Sequence, residues 1–161
     1  MDIKELLIDF HKRSHQSLAL LLKHCEQFSE AEINREFEGF GVSSIRESLH
    51  HMITAERYWI AVPQGRIDTE DDLNLFPTIA SLETLRQKIS QAAEDYLHSS
   101  TVEELTTARP MNTWGNKTKT LSPTNILFRT QTHIFQHQGQ IVAMCRLLGK
   151  PCSGVDFPVL G

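Results

Sequence analysis

Apolar positions recur at the spacing of an α-helix in four separate stretches of the chain. The first extends from about Ile3 to Phe28, the second from about Ser44 to Val62, and the third from Ile79 to around Ser100. The fourth begins at Ser122-Pro123, an N-cap followed by proline at the first helical position, and ends at Gly149-Lys150-Pro151. The pattern therefore predicts an all-α fold with four long helices.

The segments between these helices carry polar and turn-forming residues. Residues 29–41 interrupt the first helical pattern with acids and a Gly-Phe-Gly turn, and residues 67–77 form an acidic, irregular stretch that indicates a solvated loop. Residues 105–121 have threonine-rich arms around a Trp-Gly-Asn-Lys centre, which predicts a short hairpin or an extended crossover loop. A connection of this length frees the third and fourth helices from a strict up-and-down order.

Composition and charge limit the class of protein. The chain has 161 residues, 40% of them hydrophobic, which is enough for one core and predicts a single domain over residues 1–161. The net charge of -4 and the lack of a basic run argue against a nucleic-acid partner. Residues 1–5 already include acidic side chains and are not part of an apolar run. This argues against a signal peptide or a membrane span and predicts a cytoplasmic protein. Cys25, Cys145 and Cys152 share no CxxC spacing, so we expect free thiols.

Two histidines stand about one helical turn apart within the apolar pattern of the fourth helix. Because His133 and His137 are four residues apart, their rings point the same way, and both fall on the apolar side. A buried neutral imidazole needs partners for both ring nitrogens, and a divalent metal suits a pair at this spacing. The pair is equally typical of two core histidines that hydrogen-bond to their neighbours. A third ligand elsewhere in the chain would favour the metal.

The second helix offers a third imidazole at the adjacent pair His50-His51. The two rings lie equally far from the centre of the apolar stripe, so only their flanks distinguish them. His50 shares its side with Arg46 and Arg57, whereas His51 shares its side with apolar and aromatic residues such as Tyr58. A lone histidine on a helix flank is usually structural. His51 is nevertheless the ring predicted to face inward, where it would complete a three-imidazole set with the two histidines of the fourth helix.

The remaining ionisable residues near the predicted core are Glu56 and the histidines of the first helix. Glu56 lies inside the apolar stripe of the second helix, where an unpaired carboxylate is costly. Two partners fit it: a ligand imidazole that it supports by a hydrogen bond, or an arginine such as Arg129. His11, His15 and His24 lie away from the centre of their stripe, and we predict them at the surface or its boundary.

A second apolar face lies on the fourth helix, opposite its histidines. Phe128, Phe135 and Val142 recur there every seven residues. An apolar face of this kind needs cover, either from another subunit or from the tail between Cys152 and Leu160. We predict a homodimer that uses this face.

Three segments together resemble a known protein family. Residues 44–59 read SIRESLHHMITAERYW, and far downstream residues 133–141 read HIFQHQGQI and residues 147–151 read LLGKP. In their order and spacing they resemble the DinB-like family of the DinB/YfiT superfamily, which is not the similarly named DNA polymerase. The resemblance spans essentially the whole chain. It implies one DinB-like four-helix-bundle domain with a divalent metal, often zinc or nickel, on three histidines.

The resemblance also assigns roles to particular residues. The implied metal ligands are His51, His133 and His137, with Glu56 five residues after His51 as in the family pattern. Gln138 departs from that pattern, since many members have arginine immediately before the Gly-Gln pair. The departure leaves the ligand set intact, but a basic group near the site does not carry over.

A three-histidine site has consequences for function. A metal with three protein ligands keeps a position for water or substrate, and it lowers the pKa of bound water to about 7 in favourable zinc sites. Because relatives in the superfamily include metal-dependent thiol-S-transferases and hydrolases, the resemblance implies an enzyme of one of these types acting on a small molecule. Its cofactors would be a divalent metal and, for the transferase, a low-molecular-weight thiol, with Glu56 or Gln140 as supporting polar groups. The alternative is a non-catalytic metal- or ligand-binding bundle in a stress response.

Overall fold

The computed structural model describes residues 1–159, and this part of the chain is mostly helical. Its helices are α1 (Ile3–Cys25), α2 (Glu30–Ile33), α3 (Ile45–Ala61), α4 (Ile79–Ser99), α5 (Val102–Thr106) and α6 (Pro123–Leu147). Its strands are β1 (Arg109–Thr113) and β2 (Lys117–Leu121), and single 3-10 turns occupy Val62–Gln64, Leu73–Leu75 and Trp114–Asn116. The four long helices α1, α3, α4 and α6 correspond to the four predicted stretches.

Each long helix begins at a residue whose side chain caps it. Asp2, Ser44, Thr78 and Ser122 accept a hydrogen bond from the backbone N–H three residues further on. A cap of this kind stabilises a helix by about 1 kcal/mol, because it satisfies a backbone donor that has no partner within the helix. The predicted start of α6 at Ser122, followed by proline, is confirmed.

The four long helices pack against one another around a common core. Helix α1 contacts α4 and α6, and helix α3 contacts the same two helices. The contact between α3 and α6 matters most for function, because it places the helix that carries His51 beside the helix that carries His133 and His137. Fully buried side chains of this core include Leu18, Leu21, Leu49, Met52, Leu82, Ile134 and Ile141.

The segment between α5 and α6 folds as an antiparallel hairpin, which is one of the two structures predicted for it. Strands β1 and β2 pair along their whole length. At the turn, Gly115 has a φ of 66° and Asn116 a φ of 54°, and glycine and asparagine are the residue types that best tolerate positive φ. The turn places Trp114 against α3, where its backbone N–H donates a hydrogen bond to the Tyr58 hydroxyl at 2.6 Å.

The C-terminal tail lies along the outer face of α6. The centroid of the Phe157 ring is 6.3 Å from that of Phe135 on α6 and 5.5 Å from that of Phe10 on α1. Phe128 remains 41% exposed. Leu160, where the predicted covering tail ends, lies outside the described residues. The tail therefore covers part of the face for which the sequence predicts a dimer contact.

The three cysteines lie within the folded core. Cys25, Cys145 and Cys152 are buried free thiols, as their spacing predicts. None of the helices in residues 1–159 combines the length and the apolar character needed to cross a membrane.

Candidate metal centre

Three histidines converge between α3 and α6. His51 projects from α3 and His133 and His137 from α6, and each offers a ring nitrogen within 4.8 Å of the other two. The ring centroids lie 4.5 Å (His133 to His137), 4.8 Å (His51 to His137) and 5.1 Å (His51 to His133) apart. The Nε2 atoms of His133 and His137 are 3.1 Å apart. The structure thus brings together all three residues that the sequence proposes as metal ligands, which we call the histidine triad.

The neighbouring His50 is buried but lies outside the triad. Its Nδ1 is 3.2 Å from a carboxylate oxygen of Asp71, and its ring centroid is 5.5 Å from that of Phe76. His50 therefore contacts the loop that follows α3, whereas His51 faces α6. The apolar neighbours of His51 in the sequence therefore distinguish it from His50 as the histidine that lies beside His133 and His137.

The hydrogen bond made by His137 determines which of its nitrogens can bind a metal. Its Nδ1 lies 2.9 Å from Oε1 of Gln140, and because this oxygen can only accept, Nδ1 carries the proton and Nε2 has a free lone pair. An oxygen acceptor on the second nitrogen is the usual arrangement around a metal-bound imidazole. Gln140 therefore contacts His137, one of the histidines that the sequence proposes it would support.

The spacing of the nitrogens also fits a cation. In a tetrahedral zinc site with Zn–N distances of about 2.0–2.1 Å, ligand nitrogens stand roughly 3.3 Å apart. The 3.1 Å between Nε2 of His133 and Nε2 of His137 is close to this value. His137 Nε2 accepts a hydrogen bond from His133 Nε2–H at this distance, and a divalent metal between the three rings would take the place of that proton.

Burial keeps His133 and His137 in the neutral form that an imidazole needs to bind a metal. Burial lowers the pKa of His133 to about 4, and the charges of His137, Arg129 and His51 lower it as well. Burial also lowers the pKa of His137, again with a contribution from His51. Because a metal binds neutral imidazole, these two rings are in the ligating form at neutral pH without the release of a proton.

The triad borders a cleft of about 280 Å³. His51 and His133 form part of its wall, together with the aromatic residues Tyr58, Trp59 and Trp114. The centroids of these three aromatic rings lie 5.1 to 5.3 Å apart, so the rings form one continuous group. The volume is near the lower end of the about 300–1,000 Å³ typical of small-molecule sites. A cation on the triad would therefore stand beside a space for a small ligand.

Glu56 has other partners than the sequence suggests. Its buried carboxylate accepts hydrogen bonds from His11 at 3.1 Å, from His15 at 2.7 Å and from the Gln131 amide at 2.8 Å. Within the described residues it bonds neither to the triad nor to Arg129, so both proposed partners are wrong. The Arg129 guanidinium lies instead over an aromatic ring of the cleft.

The predicted surface position is also wrong for two of the α1 histidines. His11 is 0% exposed and His15 is 4% exposed, whereas His24 lies at the boundary as predicted. The cause is that α1 packs against both α4 and α6, which covers residues on the flanks of its apolar stripe. The sequence signal for their burial lies on α3. A carboxylate in an apolar stripe requires buried donors, and histidines of a neighbouring helix can supply them.

His11, His15 and Glu56 form a second group whose residue types and spacing could bind a metal. Its hydrogen bonds, however, already engage the nitrogens that a metal would need. Nη1 of Arg86 lies 3.2 Å from Nδ1 of His15, and because a guanidinium can only donate, this nitrogen accepts. His15 therefore carries its proton on Nε2, which donates to Glu56. A metal on Nε2 would turn the N–H of His15 toward the N–H of Arg86, a conflict that the triad does not have.

The comparison with protein families agrees with the resemblance carried by the sequence motifs. A model described as the DinB family matches residues 8–160, a range that contains the triad, the Glu56 group and the hairpin. The comparison with curated proteins gives no match. Because the family match covers nearly the whole chain, this protein belongs to the DinB family.

Proposed function

We propose that this protein is a metal-dependent enzyme that acts on a small molecule, with His51, His133 and His137 holding one divalent cation. The convergence of these three imidazoles beside the cleft is the observation that supports the proposal. Within residues 1–159 the group has three members, and three protein ligands leave a coordination position open. Structural zinc sites, by contrast, are closed by a fourth protein ligand.

The cation would be zinc or nickel, both of which suit imidazole ligands. When bound, it would act as a Lewis acid that stabilises the anion of a coordinated thiol or water. The residues of the chain supply the remaining functions. Gln140 holds His137 in the tautomer that leaves Nε2 free, and Tyr58, Trp59 and Trp114 provide apolar walls beside the triad.

Two reactions fit this arrangement. In a thiol-S-transferase, a low-molecular-weight thiol loses its proton and its sulfur attacks an electrophilic carbon, displacing a leaving group. In a hydrolase, water loses a proton to solvent, the resulting hydroxide attacks a carbonyl carbon, and the bond from that carbon to the leaving group breaks as the leaving group takes up a proton. Glu56 takes part in neither, because it is fully buried among the histidines of α1. We also propose that α1, α3, α4 and α6 form a four-helix bundle, which their pairwise contacts support.

The proposal predicts that turnover depends on the metal. Zinc- or nickel-loaded protein should accelerate the reaction of 1-chloro-2,4-dinitrobenzene with cysteine or glutathione, or the hydrolysis of p-nitrophenyl acetate. The rate of either reaction should fall by at least roughly 100-fold in His133→Ala, because Lewis-acid stabilisation is worth several kcal/mol. Absorbance assays at equal protein concentration measure both reactions.

Two comparisons make this test specific. Gln140→Ala should retain the metal ligands but lose roughly 10–100-fold in metal affinity or turnover, as is typical of residues that orient a ligand. If chelator-treated protein turned over as fast as loaded protein, the metal would have no catalytic role. If loaded protein were inert toward every thiol and ester, the alternative of a non-catalytic metal-binding bundle would stand.

We further propose a homodimer that uses the exposed part of the outer α6 face. Phe128 is 41% exposed there, and its ring centroid lies 5.6 Å from that of Phe10. Burial of such a side chain is worth about 1.5–3 kcal/mol. Phe128→Glu should therefore convert a dimer to a monomer in light scattering at micromolar concentration while the metal content stays unchanged. A monomeric wild type would contradict the proposed dimer and would mean that the C-terminal tail covers this face sufficiently.

A further inference from the structure

Arg129 is a cation at the cleft that has no carboxylate partner within residues 1–159. It stands four residues before His133 on α6, so the two side chains lie on the same side of the helix, and both line the cleft. Its guanidinium lies 5.1 Å from the centroid of the Trp59 ring, a cation–π contact that restricts where it can point. Among residues 1–159, no carboxylate forms an ion pair with it. Its N–H donors therefore remain available to a ligand.

The carboxylates of the cleft lie on the loop after α3 and are already engaged. Asp68 is 3.3 Å from Nε of Arg57, and Glu70 is 3.7 Å from Nη1 of the same guanidinium. Asp71 is 3.2 Å from Nδ1 of His50. The cleft therefore has acids with partners on one side and an unpaired cation, Arg129, on the other. A ligand that brings a negative charge to the α6 side would pair with Arg129, which has no carboxylate partner within residues 1–159.

The space near Arg129 is suited to an apolar or aromatic group. Trp59 lies beneath the guanidinium, and the centroid of Trp114 lies 5.1 Å from those of both Trp59 and Tyr58. The Tyr58 oxygen accepts the backbone N–H of Trp114 and its O–H can still donate, so the group presents ring faces and edges together with this hydroxyl. Such rings bind planar and apolar groups through burial and stacking.

We infer that the cleft takes a small organic carboxylate whose anionic group binds Arg129 and whose aromatic or apolar part packs on Trp59 and Trp114. Arginine and a carboxylate form a strong, often bidentate, charge-assisted hydrogen bond, which fixes orientation as well as position. Because His133 is one turn away, the reactive part of such a molecule would be directed toward the triad. The inference rests on the proposed function, since it names the substrate class of the same cleft.

Intrinsic fluorescence can test this inference, because both tryptophans of the chain line the cleft. The probes are 3-phenylpropionate and its neutral counterpart 3-phenylpropionamide, which differ in the carboxylate alone. The carboxylate should bind at least roughly tenfold more tightly than the amide, the increment expected for a hydrogen bond to a charged group. Arg129→Gln should remove this preference. Arg146→Gln, which changes an exposed arginine of α6 that does not line the cleft, should preserve it.

The same titrations on metal-loaded and chelator-treated protein separate Arg129 from the metal. A preference for the carboxylate that persists without metal and disappears in Arg129→Gln supports the inference, even if the protein proved inactive and the proposed function failed. Equal binding of the two probes would overturn it. So would a preference that survives in Arg129→Gln but disappears on chelation, because the carboxylate would then be a metal ligand. That result would leave the proposed metalloenzyme intact.

Discussion

Replacement of Glu56 by alanine is expected to destabilise the protein by about 3–5 kcal/mol, the loss typical when one partner is removed from a buried charged group. The carboxylate is fully buried, and its loss would leave donors of His11, His15 and Gln131 without an acceptor. For a chain of this length each kcal/mol lowers the Tm by about 2–4 °C, so the Tm should fall by roughly 6–20 °C. Thermal and urea unfolding at neutral pH measure this change.

A matched substitution at the surface provides the control. Glu36 is exposed, and Glu36→Ala should change the free energy of unfolding by no more than about 0.5 kcal/mol. If Glu56→Ala cost no more than this control, the hydrogen bonds between α1 and α3 would contribute little to stability.

The same carboxylate should make stability depend on pH in a defined direction. Burial raises the pKa of Glu56, but electrostatic attraction to the N–H side of His15 and the hydrogen bonds from His11 and His15 outweigh it and hold the pKa well below its usual range. A depressed carboxyl pKa stabilises the fold above the unfolded-state value of about 4.3, and this contribution is lost as pH falls below that value. The free energy of unfolding of the wild type should therefore decrease more steeply than that of Glu56→Gln below about pH 5.

The histidines of the triad do not obscure this comparison. The pKa of His133 is about 4 in the folded protein and about 6.5 in an unfolded chain, so its contribution to stability is present above about pH 6.5 and decreases as pH falls toward 4. That decrease occurs equally in wild type and in Glu56→Gln, and it cancels in the difference between them. Parallel pH profiles for the two proteins would contradict the role assigned to Glu56.

The long helices could be predicted because their signals are local. Each has apolar positions at the helical period, and the starts of α3 and α6 are marked by the capping residues Ser44 and Ser122. Helices α2 and α5 could not be predicted in this way, because four or five residues are too few to show a period. Their only signals are the capping boxes that begin at Ser29 and Thr101.

The residues of the triad could also be found from the sequence. The spacing of His133 and His137 is a property of one helix, and the apolar flank of His51 is a property of another. The histidine partners of Glu56 could not be found in this way, because they lie 41 and 45 residues away on α1 and depend on how α1 packs against α3. The position of Trp114 has the same character, since it depends on contact of the hairpin with Tyr58, 56 residues away.

His51→Ala and His133→Ala should each abolish stoichiometric metal binding, while His50→Ala should leave it unchanged. Removal of one of three ligands should reduce affinity by at least roughly 100-fold, more than the 10–100-fold typical of residues that only orient a ligand. His50 should have no such effect, because its Nδ1 faces Asp71 on the loop after α3. Elemental analysis after dialysis and titration with zinc or nickel give the stoichiometry and the affinity.

A fourth variant decides between the two groups that could hold the metal. His15→Ala removes a member of the Glu56 group and leaves the triad complete, so one metal per chain should remain, because Arg86 holds His15 in the tautomer that donates to Glu56. Loss of the only metal in His15→Ala, with full occupancy in His133→Ala, would move the metal site to α1. Equal loss in His50→Ala and His51→Ala would show that the wrong neighbour was assigned on α3. A decrease from two metals to one in both His15→Ala and His133→Ala would instead mean that the hydrogen bond from Arg86 is weak enough for a cation to displace the proton of His15.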